Sequence, residues 1–123
     1  MVGKSGQVLI VEDEAIIAWD LTDSVETLGL TVVGPAHTLQ QGFDFADRHE
    51  LSAALLDINL GSETVWPLAT KLCGNGVPIV FISASLDTTR IAVDFPTAKS
   101  LSKPIGRTEI ARCFAELDLA AGS

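Results

Sequence analysis

The sequence predicts an α/β protein: a five-stranded parallel sheet, doubly wound into a three-layer α/β/α sandwich. Three observations carry that reading. Short apolar runs alternate along the chain with stretches whose apolar residues recur every three to four positions. The run Ala53-Ala54-Leu55-Leu56 shows no polar alternation, as expected of a strand covered on both faces. The 123 residues suit one domain, in which a core forms without disulfide or metal staples.

Residues 8–11 form a short β-branched run and read as the first strand. Ile17, Leu21, Val25 and Leu28 then share one face of a helix that Gly29 ends. Residues 31–33 read as a second strand, stopped by Gly34-Pro35. Thr38-Leu39-Gln40-Gln41 resembles a capping box opening a second helix to about residue 49. The third strand is 53–57. Ser62 or Thr64 can cap a third helix, with Pro67 tolerated in its first turn, and Gly74-Asn75-Gly76 stops it. Residues 78–83 and 98–102 read as the fourth and fifth strands. Any helix within 84–97 is expected to be short. A last helix from about 107 to 119 buries Ile110, Phe114 and Leu117. Right-handed crossovers place these helices on both faces of the sheet.

Sixteen acidic residues against eight basic ones leave a net charge of −8. That argues against a nucleic-acid surface, which needs a basic footprint. It suits a cation site or a basic partner, although a solvated acidic surface accounts for most of it. Cys73 and Cys113 show no metal-ligand spacing and fall in apolar helical contexts, so both are expected as buried thiols. His37 and His49 are isolated and expected at the surface or in caps. The start, MVGKSGQ, lacks the apolar core of a signal peptide. No apolar run approaches the roughly 18 residues of a membrane span. A soluble cytoplasmic protein is expected, a single domain over 1–123 with its core at about 7–119.

What ends each strand carries the chemistry. The first strand runs into Glu12-Asp13, the third ends in Asp57, the fourth in Ser83, and the fifth leads to Lys103-Pro104. A parallel sheet gathers these ends on one edge, where ligands bind in such folds. Taken singly, each has a plain explanation: Glu12-Asp13 as a helix cap, Asp57 as a loop cap, Ser83 as a turn hydroxyl, Lys103 as a solvated cation. Their convergence is what carries weight. Three carboxylates close together repel, and a hard divalent cation relieves them; oxygen-only ligands suit Mg²⁺. A lysine and a hydroxyl beside it suit a phosphoryl group, and an aspartate can itself be the nucleophile.

The motifs VLIVEDE (8–14), AALLDINLG (53–61), IVFISAS (79–85) and KSLSKP (99–104) resemble those of response-regulator receiver domains of two-component signalling. The resemblance covers nearly the whole chain. It implies the flavodoxin-like sandwich with strand order 2-1-3-4-5. It implies Asp57 as phosphoacceptor, and Glu12 and Asp13 as the acidic pair that holds Mg²⁺. The Asn59 backbone carbonyl is implied as a further metal ligand. Ser83 becomes the switch hydroxyl and Lys103 the contact to the phosphoryl group. Pro104 matches a proline usually preceded by a cis bond. The implied partner is a histidine kinase, with output through a partner protein, or a role as relay or phosphate sink; a monomer or weak homodimer is expected. The stretch NLGSETVWP (59–67) is similar to alphaproteobacterial receivers, often single-domain, that work with HWE-type kinases.

Two departures stand out. That subgroup usually carries Phe-x-Thr-Gly-Tyr where this chain has Phe81-Ile82-Ser83-Ala84-Ser85. Most receivers carry Tyr or Phe three residues before the lysine, where this chain has Ser100, and the chain contains no tyrosine. Three rival readings meet obstacles in the same residues. An aspartate-nucleophile phosphatase usually needs an acid two residues after the nucleophile, where Asn59 stands. A flavin-binding domain wants a glycine- or hydroxyl-rich loop after the first strand, where Glu12-Asp13-Glu14 stands. A receiver-like binding module that is not phosphorylated is opposed by the complete site.

Overall fold

A computed structural model describes residues 6–84 and 88–117. In chain order the elements are β1 (Gln7–Val11), α1 (Ala15–Thr27), β2 (Thr31–Ala36), α2 (Leu39–Arg48), β3 (Ala53–Asp57), β4 (Asn59–Leu60), β5 (Glu63–Thr64), α3 (Trp66–Gly74), β6 (Ile79–Ser83), α4 (Thr88–Asp94), β7 (Lys99–Ser102) and α5 (Arg107–Glu116). Five strands make one parallel sheet in the order β2-β1-β3-β6-β7. Setting aside the small β4–β5 hairpin, this is the expected order 2-1-3-4-5.

The sheet separates two apolar layers. Leu21 and Val25 of α1 and Ile110, Cys113 and Phe114 of α5 pack on one face. Residues of α2, α3 and α4 cover the other, with Leu68, Leu72, Ile91 and Phe95 in its core. Strands β3 and β6 are buried throughout, which is why they read as unbroken apolar runs. Glycine at position 42 lets α2 settle on the sheet. A Cβ there would lie 2.7 Å from Leu68 Cδ2 and 3.3 Å from Val11 Cγ2.

Four expectations need correction. Strand β2 does not stop at Gly34-Pro35; it runs through them to Ala36, with a register shift opposite Leu9–Val11. A proline is tolerated there because β2 is an edge strand, and Gly34 takes up a positive φ of 105°. Neither Ser62 nor Thr64 caps α3. The N-cap is Val65, without a side-chain bond, because 59–64 close into the β4–β5 hairpin instead. Cys113 is buried as expected, but Cys73 is exposed, at the margin of the α3 stripe formed by Leu68, Ala69 and Leu72. The capping box at α2 is shared differently. Thr38 Oγ1 accepts from Gln41 N at 3.1 Å, while Gln41 Oε1 accepts from His37 N rather than from the cap residue.

Helix α4 has seven residues, as short as its sequence suggests. Ser85, set above against the subgroup's tyrosine, and Leu119 lie outside the described residues. Among the described residues, no helix is long and apolar enough to cross a membrane.

Candidate functional site

The carboxyl ends of β1, β3, β6 and β7 meet at one edge. Val11 pairs with Leu56, Asp57 with Ile82, and Ser83 with Ser102, so the residues that follow or end these strands arrive level with one another. Lys103 N donates to Ser83 O at 3.0 Å, extending the β6–β7 ladder by one rung and fixing where the lysine leaves the sheet. The Lys103–Pro104 bond is cis, as the resemblance implies.

Glu12 is fully buried and Asp57 is 4% exposed, whereas Asp13 lies at the surface. One carboxylate oxygen from each can be drawn from positions within 4.8 Å of one another. Backbone donors orient them. Glu14 N donates to Glu12 Oε2 at 3.0 Å, Asn59 N to Asp57 Oδ1 at 3.3 Å, and Gly61 N to Asp13 Oδ2 at 2.9 Å. The last bond explains the hairpin's place in the site: Gly61, with φ of 64°, turns β4 into β5 and presents its N–H to the acidic pair.

Lys103 Nζ stands 2.8 Å from Glu12 Oε1, 3.2 Å from Asp57 Oδ2 and 3.6 Å from Glu14 Oε1. It therefore ties the β7 end to both buried acids. The contact with Glu12 Oε1, an oxygen of a fully buried side chain, is the shortest of the three.

The electrostatics follow from burial. Desolvation raises the Glu12 carboxyl to about 7, against the pull of Lys103. Desolvation also pushes Asp57 up, opposed by Glu12 as a hydrogen-bond donor and by the charge of Lys103. Of the pair, Glu12 is the one that keeps the proton. Burial works against the charged form of Lys103, yet the bond to Glu12 and the two nearby carboxylates outweigh it and hold the ammonium above its ordinary value.

These residues fit a hard divalent cation. The donor set is all oxygen, and two of its acids are buried and resist ionisation together.

Of the residues singled out by sequence, Glu12, Asp13, Asp57 and Lys103 come together directly. Ser83 is buried at the end of β6. Asn59 contributes its N–H to Asp57. Ser100 pairs in register with Phe81. A cluster of aromatic rings in this layer comes instead from Trp66, Phe81 and Phe95. Trp66 stacks on Phe95 at 5.9 Å and meets Phe81 at 5.4 Å, and the Arg90 guanidinium lies 4.7 Å over the Trp66 ring. Sequence reasoning missed three contributors: Glu14 beside Lys103, the Gly61 N–H, and His37, whose Nδ1 lies 3.0 Å from the Glu12 carbonyl oxygen. Glu14 was signalled by its place in the run Glu12-Asp13-Glu14. His37 carried no signal.

An open parallel sheet with buried acids and a lysine at its carboxyl edge defines the class: receiver domains of two-component response regulators. A family model described as a response regulator receiver domain matches residues 8–114, and the chain belongs to that family. It is similar to the transcriptional regulatory protein PdtaR of Mycobacterium tuberculosis, 27% identical over 107 residues, covering 85% of this chain and 52% of PdtaR. It is similar to the phyllosphere-induced regulator PhyR of Methylorubrum extorquens, 37% identical over 81 residues, covering 63% of this chain and 30% of PhyR. The chain thus spans about half or less of the curated relatives it matches. The solution structure of SdrG from Sphingomonas melonis Fr1 superposes with a TM-score of 0.78 at 34% identity, covering 92% of this chain and 96% of that one.

Proposed function

We propose that Asp57 accepts a phosphoryl group from a phosphohistidine on a histidine kinase, with Mg²⁺ as cofactor. The observation that carries this reading is the Asp57 carboxylate itself, buried at the tip of β3 with Lys103 Nζ 3.2 Å from Oδ2. An Asp57 oxygen attacks the phosphorus and the P–N bond breaks. Its electron pair stays on the imidazole nitrogen of the donor, which takes up a proton. Lys103 neutralises charge on the transferring oxygens, and the Ser83 hydroxyl donates to one of them. Glu12, Asp13, Asp57 and the Asn59 backbone carbonyl would hold Mg²⁺, which when bound offsets the negative charge of the phosphoryl oxygens and the acids.

The resemblance of residues 59–67 supports an HWE-type kinase as the donor and a cytoplasmic site of action. Output then runs through a partner protein, or the phosphoryl group is relayed or held as a sink. Ser100 favours relay or sink, since no ring at that position can swing.

The test is intact mass after incubation with Mg²⁺ and a small phosphodonor. Wild type is expected to gain one phosphoryl group; Asp57→Asn, or wild type in EDTA, gains none. The reading fails if neither the small donor nor a kinase leaves an Asp57-dependent adduct. Turnover of many phosphate esters per chain would point to a phosphatase instead.

A further inference from the structure

The carbonyl bonded by His37 belongs to the peptide that joins Glu12 to Asp13. Holding that oxygen fixes the peptide plane, and with it the relative placement of the two carboxylates. The sheet alone does not hold it. Glu12 N donates to Ala36 O at 2.9 Å, the last ladder bond between β1 and β2. In a parallel ladder the next rung, into the Glu12 carbonyl, would come from the backbone N–H of residue 38. The chain has turned away there, because Thr38 caps α2. The His37 ring stands in for that rung, with Nδ1 at 3.0 Å from the oxygen. A carbonyl only accepts, so Nδ1 carries the hydrogen.

His37 is itself anchored. Its backbone N–H donates to Gln41 Oε1 at 2.7 Å, in the first turn of α2. Helix α2 in turn is seated close to Val11 through Gly42. A chain of hydrogen bonds thus runs from α2 through His37 to the acidic pair, while the Gly61 N–H holds Asp13.

We infer that His37 is a positioning residue for the divalent cation, setting the Glu12–Asp13 geometry through the peptide between them. This rests on the reading of the acidic cluster as a Mg²⁺ site. Supports behind metal ligands commonly change affinity by about tenfold or more when removed, and a single neutral hydrogen bond by roughly fivefold.

Calorimetric titration of the full chain with Mg²⁺ tests it, comparing wild type, His37→Ala and His37→Asn. Asparagine can place an N–H near the position of Nδ1. His37→Ala is expected to weaken Mg²⁺ binding about five- to tenfold. His37→Asn is expected to stay within about twofold of wild type, a rescue that a merely space-filling role would not give. Unchanged affinity in His37→Ala overturns the inference, and so does equal weakening in both variants. If wild type itself binds no Mg²⁺, the metal reading of the cluster fails and the inference falls with it. A normal wild-type affinity with an unaffected His37→Ala sinks the inference alone.

Discussion

At the β1–β3 half of the sheet edge, Glu12 and Asp57 sit at the ends of strands buried almost to the last residue. At the far edge β7 is half-exposed along its length, and the helix before it has only seven residues. The acids have backbone donors of their own; Lys103 is held at its side chain by the acids it faces. The contrast places the two buried acids at the covered centre of the sheet. The more exposed edge is tied to it by one ammonium group and by the Trp66–Phe81–Phe95 rings.

Cutting the ammonium tie should have the largest effect on stability. Lys103→Met leaves two buried acids without their cation. In metal-free buffer at about pH 8 it is expected to cost about 3 kcal/mol by urea unfolding, with partial recovery in Mg²⁺. Unchanged stability would show that the two halves are independent.

Trp66→Ala removes the aromatic tie. Trp66 is half-buried, so about 2 kcal/mol is expected, below the usual cost of a fully buried ring. Hydrogen exchange should quicken in α4 and leave β1 and β3 protected. Uniform quickening across the sheet would refute a local role for the cluster.

The smallest effect is a slope. Burial holds Glu12 at about 7 instead of 4.5, so the folded metal-free chain keeps a proton that the unfolded chain has released. Stability from this group is complete below about pH 4.5 and is lost as pH rises through about 7. Wild type should therefore lose unfolding midpoint relative to Glu12→Gln as pH rises over that window, and Mg²⁺ should reduce the loss. Parallel pH profiles for the two proteins would show that Glu12 titrates normally.

Much of this was legible in the sequence, for physical reasons that also explain the gaps. A central parallel strand must be apolar on both faces, so Ala53–Asp57 and Ile79–Ser83 declare themselves. Parallel strands share one carboxyl edge, so Glu12, Asp57 and Lys103 could be brought together without coordinates. The hairpin at 59–64 could not: strands of two residues are too short to show a period. Gly34-Pro35 reads as a stop because proline lacks an N–H, and only its place on an edge strand makes it acceptable. His37 was invisible because its role depends on where β2 leaves the sheet, one residue beyond a strand end that the sequence puts too early.

The aromatic cluster also gives the chain an optical signature. Its two tryptophans sit in unlike surroundings: Trp19 is 75% exposed on α1, and Trp66 packs against two phenylalanine rings that also touch each other, with a guanidinium over its face. With no tyrosine in the sequence, the emission of the protein is the sum of these two indoles. Trp19, so exposed, is expected to emit much as an indole in water. Trp66 is expected to report on its ring and cation neighbours, of which Arg90 lies on α4 and Phe95 directly follows it. A change in the spectrum that survives replacement of Trp19 thus reads displacement of that helix directly, without an attached label.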